Sequence, residues 1–132
     1  MSKYPDSFFR VSVKAVIRNK EGHLLLVKEH FDDWVLPGGG VEEDETMENA
    51  LSRELKEELG ANNVISSKFL STFSYYAPKK EVWCLWLLYE VEIDSYDILL
   101  ASDSSEAAYI DIHSFKDSER YSEQRIYKAF IA

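Results

Sequence analysis

Between Glu42 and Glu58 the chain carries eight carboxylates against two cations, Arg53 and Lys56, so this stretch holds −6 of a formal net charge of −9. Within it, Glu54, Glu57 and Glu58 stand three and four residues apart, spacings that make side chains neighbours on one face of a helix. Glu57 and Glu58 fall in the last turn of the helix predicted below, where the negative end of the helix dipole opposes each carboxylate by about 0.3–1 kcal/mol. Repulsion between Glu54 and Glu58 adds about 1–3 kcal/mol at a separation of about 6 Å. A solvated acidic face is the ordinary reading of such a helix, and a divalent cation is the reading that removes both penalties. Carboxylate and carbonyl oxygens are hard donors suited to Mg²⁺, with Mn²⁺ as a substitute, whereas zinc would call on His or Cys. His23, His30 and His113 are scattered, and Cys84 is the only cysteine.

The elements that must hold these residues follow from the flanking pattern. Met47, Leu51, Leu55 and Leu59 recur every four residues and predict a helix over Thr46 to Leu59, with Asp44 or Thr46 as cap and Gly60 as stop. Pro37-Gly38-Gly39-Gly40 precedes it and is expected to break regular structure. Such a turn is either a flexible connection or a place where the backbone approaches a ligand closely, so that a carbonyl or amide joins a metal or phosphate shell.

Upstream, Arg10 to Ile17 alternates with the two-residue period of a half-buried strand. Asn19 to Gly22 supplies a turn, after which Leu24 to Val27 is expected to pair back antiparallel. Phe31 to Asp33 is expected as loop and Trp34 to Leu36 as a short strand. Downstream, Val64 to Tyr76 and Glu81 to Ile93 form two strands joined as a hairpin across Ala77 to Lys80. Leu99 to Ser105 is loop or a brief edge strand, Tyr109 to Ile112 a strand, and Ser118 to Phe130 a closing helix with Ile126, Tyr127 and Phe130 as its apolar positions. Strands mixed with two helices, without strict alternation, imply an α/β sandwich whose sheet is mixed and partly antiparallel.

The chain's 132 residues, 45% apolar and 14% aromatic, suffice for one compact domain spanning residues 1–132. The negative net charge disfavours general nucleic-acid binding, because it repels phosphates. A lone cysteine forms no intrachain disulfide and fits a reducing compartment. No apolar segment opens the chain, and none reaches the roughly 20 residues of a membrane span. A cytoplasmic protein, monomer or homodimer, is expected.

Gly39, five residues, Glu45, seven residues, then Arg53-Glu54-Leu55-Lys56-Glu57-Glu58-Leu59-Gly60 resembles the box that defines the Nudix (MutT-like) family. Every fixed position is filled, and the closing aliphatic position holds Ala61, a departure that bears on packing rather than on the carboxylates. Box and leading turn cover about a fifth of the chain. The resemblance implies an α/β/α sandwich that hydrolyses a diphosphate linkage in a nucleoside diphosphate-linked or nucleoside triphosphate substrate. It further implies that Glu54, Glu57 and Glu58 bind Mg²⁺, one of them activating water, and that Gly38 or Gly39 offers a carbonyl to the metal. Glu45, Arg53 and Gly60 match positions that brace the loop against the helix.

Outside the box, Glu106 is the candidate for the additional metal-binding acid that relatives often carry. Lys28 resembles a phosphate-facing cation, with a plain surface lysine as the alternative. Trp34, Phe73, Tyr75 and Tyr76 are candidates for stacking on a base, with core packing as the alternative. Tyr75, Tyr76 and Pro78 fall where the family's substrate markers lie and leave nucleoside triphosphates, sugar nucleotides, dinucleoside polyphosphates and RNA 5′ ends all open. The competing readings are a non-catalytic nucleotide sensor on the same fold and a scaffold whose acidic helix is only a surface.

Overall fold

In the computed structural model, residues 8–28, 33–60, 64–94 and 106–131 are described. Seven strands and two α-helices run in the order β1 (Phe9–Val16), β2 (Leu24–Lys28), β3 (Trp34–Val35), β4 (Gly38–Gly40), α1 (Met47–Leu59), β5 (Val64–Ala77), β6 (Val82–Ile93), β7 (Glu106–Ile110) and α2 (Tyr121–Phe130). A 3₁₀ turn over Ile112–Phe115 connects β7 to α2. The strands make a mixed sheet ordered β4-β1-β6-β5 and a second, antiparallel sheet ordered β3-β2-β7. Among the described residues only β1 and β6 pair in parallel, Phe9 through Val16 against Trp83 through Glu90.

Each face of the sheet layer buries its own core. Val13, Ala15, Ile17, Leu25 and Val27 pack with Ala50, Leu51, Leu55 and Leu59 of α1. Val16, Leu24, Leu26, Trp86 and Leu88 pack with Ile126 of α2 and Phe115. This is the expected α/β/α sandwich, and burial on both faces explains why Leu24 to Val27 is a continuous apolar run rather than an alternating one.

The turn at Asn19 forms as expected: Asn19 Oδ1 accepts from the backbone N–H of Glu21 and of His23, and Gly22 takes a φ of 80°. The expected antiparallel return is made, but only next to the turn. Arg18 pairs with Leu24 and the Leu25 N–H donates to Ile17, but β1 already has β4 on one edge and β6 on the other. With both edges filled, β2 must leave for the second sheet. The glycines also depart from expectation, because Gly38–Gly40 is a strand, in register with Lys14, Val13 and Ser12.

Thr46, not Asp44, caps α1, its Oγ1 accepting from the Asn49 N–H at 3.1 Å. Gly60 stops the helix at a φ of 83°, donating its N–H to Lys56. Met47 is only half-buried, while Ala50 and Glu58 are buried with Leu51, Leu55 and Leu59. The β5–β6 hairpin is as predicted. The strand expected to reach Ile112 stops at Ile110, because Asp111 accepts from the His113 N–H and starts the 3₁₀ turn. The closing helix begins at Tyr121 rather than Ser118, whose hydroxyl instead accepts from the Arg120 N–H. The expectations for Leu99 to Ser105, for Phe31 and Asp32, and for Ala61 fall outside the described residues. No helix of the described residues is long and apolar enough to cross a membrane.

Candidate active site

The site is built where α1 meets the glycine strand. Glu58, buried in the last turn of α1, accepts a hydrogen bond from the Gly38 N–H at 3.1 Å. One turn earlier, Glu54 lies so close to Gly39 that a Cβ built there would stand 2.5 Å from the Glu54 carboxyl carbon and 2.6 Å from its oxygens. Only a residue without a side chain lets strand and carboxylate share that space. Glu57, next along the same face, is 54% exposed.

Arg53 ties the loop to the helix. Its Nε and Nη2 donate to the two Glu45 oxygens at 2.7 and 2.9 Å, Nη2 also donates to the Gly40 carbonyl at 3.0 Å, and Nη1 donates to Glu54 at 2.9 Å. Glu57 lies 3.6 Å from the same guanidinium. The fork matches two planar acceptors at once, which a lysine could not do. Glu45 in turn accepts from the Glu42 N–H at 2.9 Å. Arg53 thus joins Glu45 and Gly40 of the loop to Glu54 of the helix, while the Gly60 N–H bonds within the helix to Lys56.

The Arg53 hydrogen bonds hold the Glu45 carboxyl at about 2, well below its ordinary 4.5. A group depressed in the fold contributes stability above its unfolded value and loses it as pH falls through its folded value. Glu45→Gln is therefore expected to be less stable than wild type above pH 4.5, the two converging as pH falls towards 2. Paired thermal melts across that range check this, and a gap that stays constant with pH would contradict it.

A cleft opens beside the glycine strand on the α2 side of the sheet. Its inner part, about 310 Å³, is lined among the described residues by Gly38, Gly39 and Gly40, by Ser12, by Trp86, and by four cations, Arg10, Lys14, Lys80 and Arg125, with no acid among those described. An adjoining part of about 400 Å³ adds Ala77, Pro78, Lys79 and Tyr121 and shares Tyr75 and Arg125 with it. Among the described residues Asp33 is the acid there, and Arg120 holds it at 3.1 Å. The Arg125 guanidinium stands 4.3 Å from the Tyr75 ring centre and 6.0 Å from that of Tyr121. Burial, then the neighbouring Cys84 thiol, pushes the Tyr75 hydroxyl above its ordinary range. In a chain of net charge −9, the cleft is a local inversion of sign suited to phosphates.

The other sequence candidates divide into two groups. Lys28, Trp34 and Glu106 meet on neighbouring strands: Lys28 is in register with both, its Nζ stands 4.9 Å from the Trp34 ring centre, and it lies 3.9 Å from Glu106. Glu106 is thus set against a cation. Tyr76 points to the face opposite the cleft, where it contacts Trp83, and it is Tyr75 that lines the cavity. Among the described residues, no three His, Cys, Asp or Glu side chains form a ready metal cluster. Glu54 leans on Arg53 and Glu58 on the Gly38 amide, partners that offset part of the repulsion inferred from the sequence.

Arg10, Lys14, Lys80 and Arg125 were missed in the sequence. Arg10, Ser12 and Lys14 are the polar half of the β1 alternation, and two cations on that half were the available signal. Lys80 in a turn and Arg125 on a distant helix carried none.

Comparison with known proteins supplies independent findings. Residues 8–130 match the family model described as the NUDIX domain. The chain is similar to an RNA pyrophosphohydrolase of Hydrogenovibrio crunogenus, 49% identical over 53 residues, which are 39% of this chain and 32% of that protein. It is also similar to the nucleoside triphosphatase NudI of Escherichia coli O81, 31% identical over 115 residues, covering 76% of this chain and 81% of that one. The chain spans between a third and half the length of the RNA pyrophosphohydrolases it matches. Among solved structures, a MutT protein from Methanosarcina mazei Go1 superposes with a TM-score of 0.75 at 21% identity, covering 95% of both chains.

Proposed function

The chain belongs to the Nudix family, and from that membership we propose that it is a Mg²⁺-dependent hydrolase of a diphosphate linkage in a nucleoside triphosphate or nucleoside diphosphate-linked substrate. The observation that carries the reading is the glycine strand. Glu54 and Glu58 meet Gly39 and Gly38 from α1, and the same three glycines wall a cleft lined by four cations. Acids that hold a cation and cations that hold an acid are thus separated by one strand without side chains.

The donor set fits a hard divalent ion: Glu54, Glu57 and Glu58 would hold it, with a carbonyl of Gly38 or Gly39. Mn²⁺ would serve in its place. When bound, the ion supplies charge neutralisation at the phosphates and acidifies water. Glu106, the further ligand expected from the sequence, stands 3.9 Å from Lys28 and would exchange that contact for the ion, as Glu54 and Glu57 would exchange theirs with Arg53.

The protein's own residues do the remaining work. Arg10, Lys14, Lys80 and Arg125 bind the phosphate chain and stabilise charge that grows on its oxygens during attack. Tyr75 offers a ring for the base. Glu57, the most exposed of the three acids, takes the proton from the attacking water. The similarity to a nucleoside triphosphatase and to an RNA pyrophosphohydrolase supports a substrate bearing a triphosphate. The four cations that line the inner part of the cleft suit that charge.

The test is a panel of nucleoside triphosphates, sugar nucleotides and dinucleoside polyphosphates assayed with Mg²⁺, with products identified. Release of pyrophosphate or monophosphate that EDTA stops and Mg²⁺ or Mn²⁺ restores is the expected result. Tight binding without turnover on every compound would make the protein a sensor instead.

A further inference from the structure

The face of the mixed sheet that carries α1 is only partly covered by it. Val13, Ala15 and Tyr89 lie under the helix, but towards the other end of the strands three rings stand side by side. Phe9 on β1 is in register with Trp83 on β6, and Trp83 with Tyr76 on β5, with ring centres 5.9 and 5.7 Å apart. Each is close to half exposed, at 46, 47 and 45%. Between the rings and the helix, strand alternation puts Val11, Leu85 and Leu87 on the same face, with Ser74 and Thr72 beside them on β5. None of these positions is charged. Phe69, packed edge-on against Tyr89, closes the patch at 50% exposure.

An aromatic side chain buries about 150–250 Å², so four half-exposed rings and the aliphatic side chains between them offer roughly 500–700 Å² of apolar surface per chain. That is at the upper end of what a monomer leaves contiguous and approaches the about 800 Å² per partner of a standard interface. Phe8, exposed beside Phe9, and the polar borders supply the remainder.

Those borders are oppositely charged. At the α1 end the Val41 N–H donates to the Val11 carbonyl at 3.2 Å, and the chain runs on through Glu42, Glu43 and Asp44, all exposed, to Glu48 in the first turn of the helix. Burial, then the charge of Glu48, pushes the Tyr89 hydroxyl above its ordinary range, which sets Glu48 beside this end of the patch. At the ring end the β5–β6 turn carries Lys79 and Lys80, both exposed, followed by Glu81. The layer above the rings is also the right depth for a second sheet: stacked sheets pack about 10 Å apart, close to the diameter of a helix, so a sheet laid there continues the layer that α1 occupies further along.

We infer that a second copy of this chain covers the rings, the two mixed sheets packing face to face about a two-fold axis that runs across the strands, with the Lys79-Lys80 turn of each copy against the Glu42–Asp44 loop of the other. A chain of net charge −9 repels its own copy over most of its surface. The uncharged patch replaces that repulsion with apolar burial, and its basic and acidic borders are self-complementary under a two-fold, as an isologous interface requires. A polyanion laid on the rings would gain at the lysines and lose at the acidic loop, whereas a copy turned end for end satisfies both.

Sedimentation velocity over a range of concentrations tests this. Wild type is expected to be a dimer at about 50 µM. Trp83→Glu, which sets a carboxylate in the middle of the patch on both copies, is expected to weaken the dimer at least about a hundredfold, with a circular dichroism melt showing that it folds. Glu43→Lys and Lys79→Glu should each weaken it about fivefold, and the double variant should recover most of the loss, since the two charges then pair with exchanged signs. A wild type that stays monomeric at every concentration would overturn the inference and leave the rings to a partner other than this chain. So would a dimer that survives Trp83→Glu, or a double variant no tighter than the singles. Should Trp83→Glu fail to fold, the charge exchange at the two exposed positions decides.

Discussion

Glu57→Gln is expected to lower kcat by roughly a thousandfold, the scale of removing a general base or a metal-binding carboxylate, while the thermal midpoint stays close to that of wild type. Both halves follow from its position. Glu57 is 54% exposed and lies 3.6 Å from the Arg53 guanidinium, a solvent-facing pair of a kind that contributes about 0–1 kcal/mol. Removing a negative charge from the last turn of α1 relieves an opposing dipole interaction of about 0.3–1 kcal/mol. The two changes nearly cancel, so the variant folds and the loss is chemical. Rates with saturating substrate and Mg²⁺, set beside a melting curve, make the measurement. A variant with wild-type kcat would remove Glu57 from the chemistry. One that melts many degrees lower would mean its role is structural.

Replacing the three strand glycines one at a time should give three different results. At Gly38 the backbone has a φ of 137°, and an added Cβ runs into the Val13 carbonyl oxygen and stands 3.0 Å from the Lys14 Cα. These are backbone atoms of the neighbouring strand, so β4 must part from β1. Gly38→Ala is expected to cost about 3 kcal/mol, combining the strained conformation with overpacking, and to lose the hydrogen bond to Glu58. At Gly39 the Cβ meets only the end of the Glu54 side chain, which can swing aside. Gly39→Ala is therefore expected to fold and to lose most of its activity. At Gly40 nothing lies within 4 Å of an added Cβ, and Gly40→Ala should be within about 0.5 kcal/mol of wild type. Urea denaturation ranks the three, and a Gly38→Ala midpoint equal to that of Gly40→Ala would refute the geometry.

These expectations divide according to what could be read from the chain alone. The spacing of Glu54, Glu57 and Glu58, the cap at Thr46 and the stop at Gly60 are local, because helical periodicity and capping act over four or five residues. The long β5–β6 hairpin is also local, two apolar strands on either side of a short turn. The glycines were legible as a close approach, but not as a strand, since Gly38–Gly40 has no side chains to show a strand period and takes its conformation from β1. The departure of β2 was hidden for a similar reason: its own residues suit a hairpin, and only the filling of both edges of β1 limits it to the residues next to the turn.

By itself the sequence determined the acidic helix, its glycine approach and the kind of ion they suit, because those depend on residue type and on distances along one element. Tertiary structure alone decided where the cations gather beside the glycine strand. Arg10 and Lys14 come from β1, Lys80 from a turn and Arg125 from α2, and residues so far apart in the chain converge only once two cores have packed on opposite faces of the sheets. It also decided that Tyr75 rather than Tyr76 enters the cleft, since adjacent strand residues face opposite ways and packing against Trp86 fixes which one turns inward.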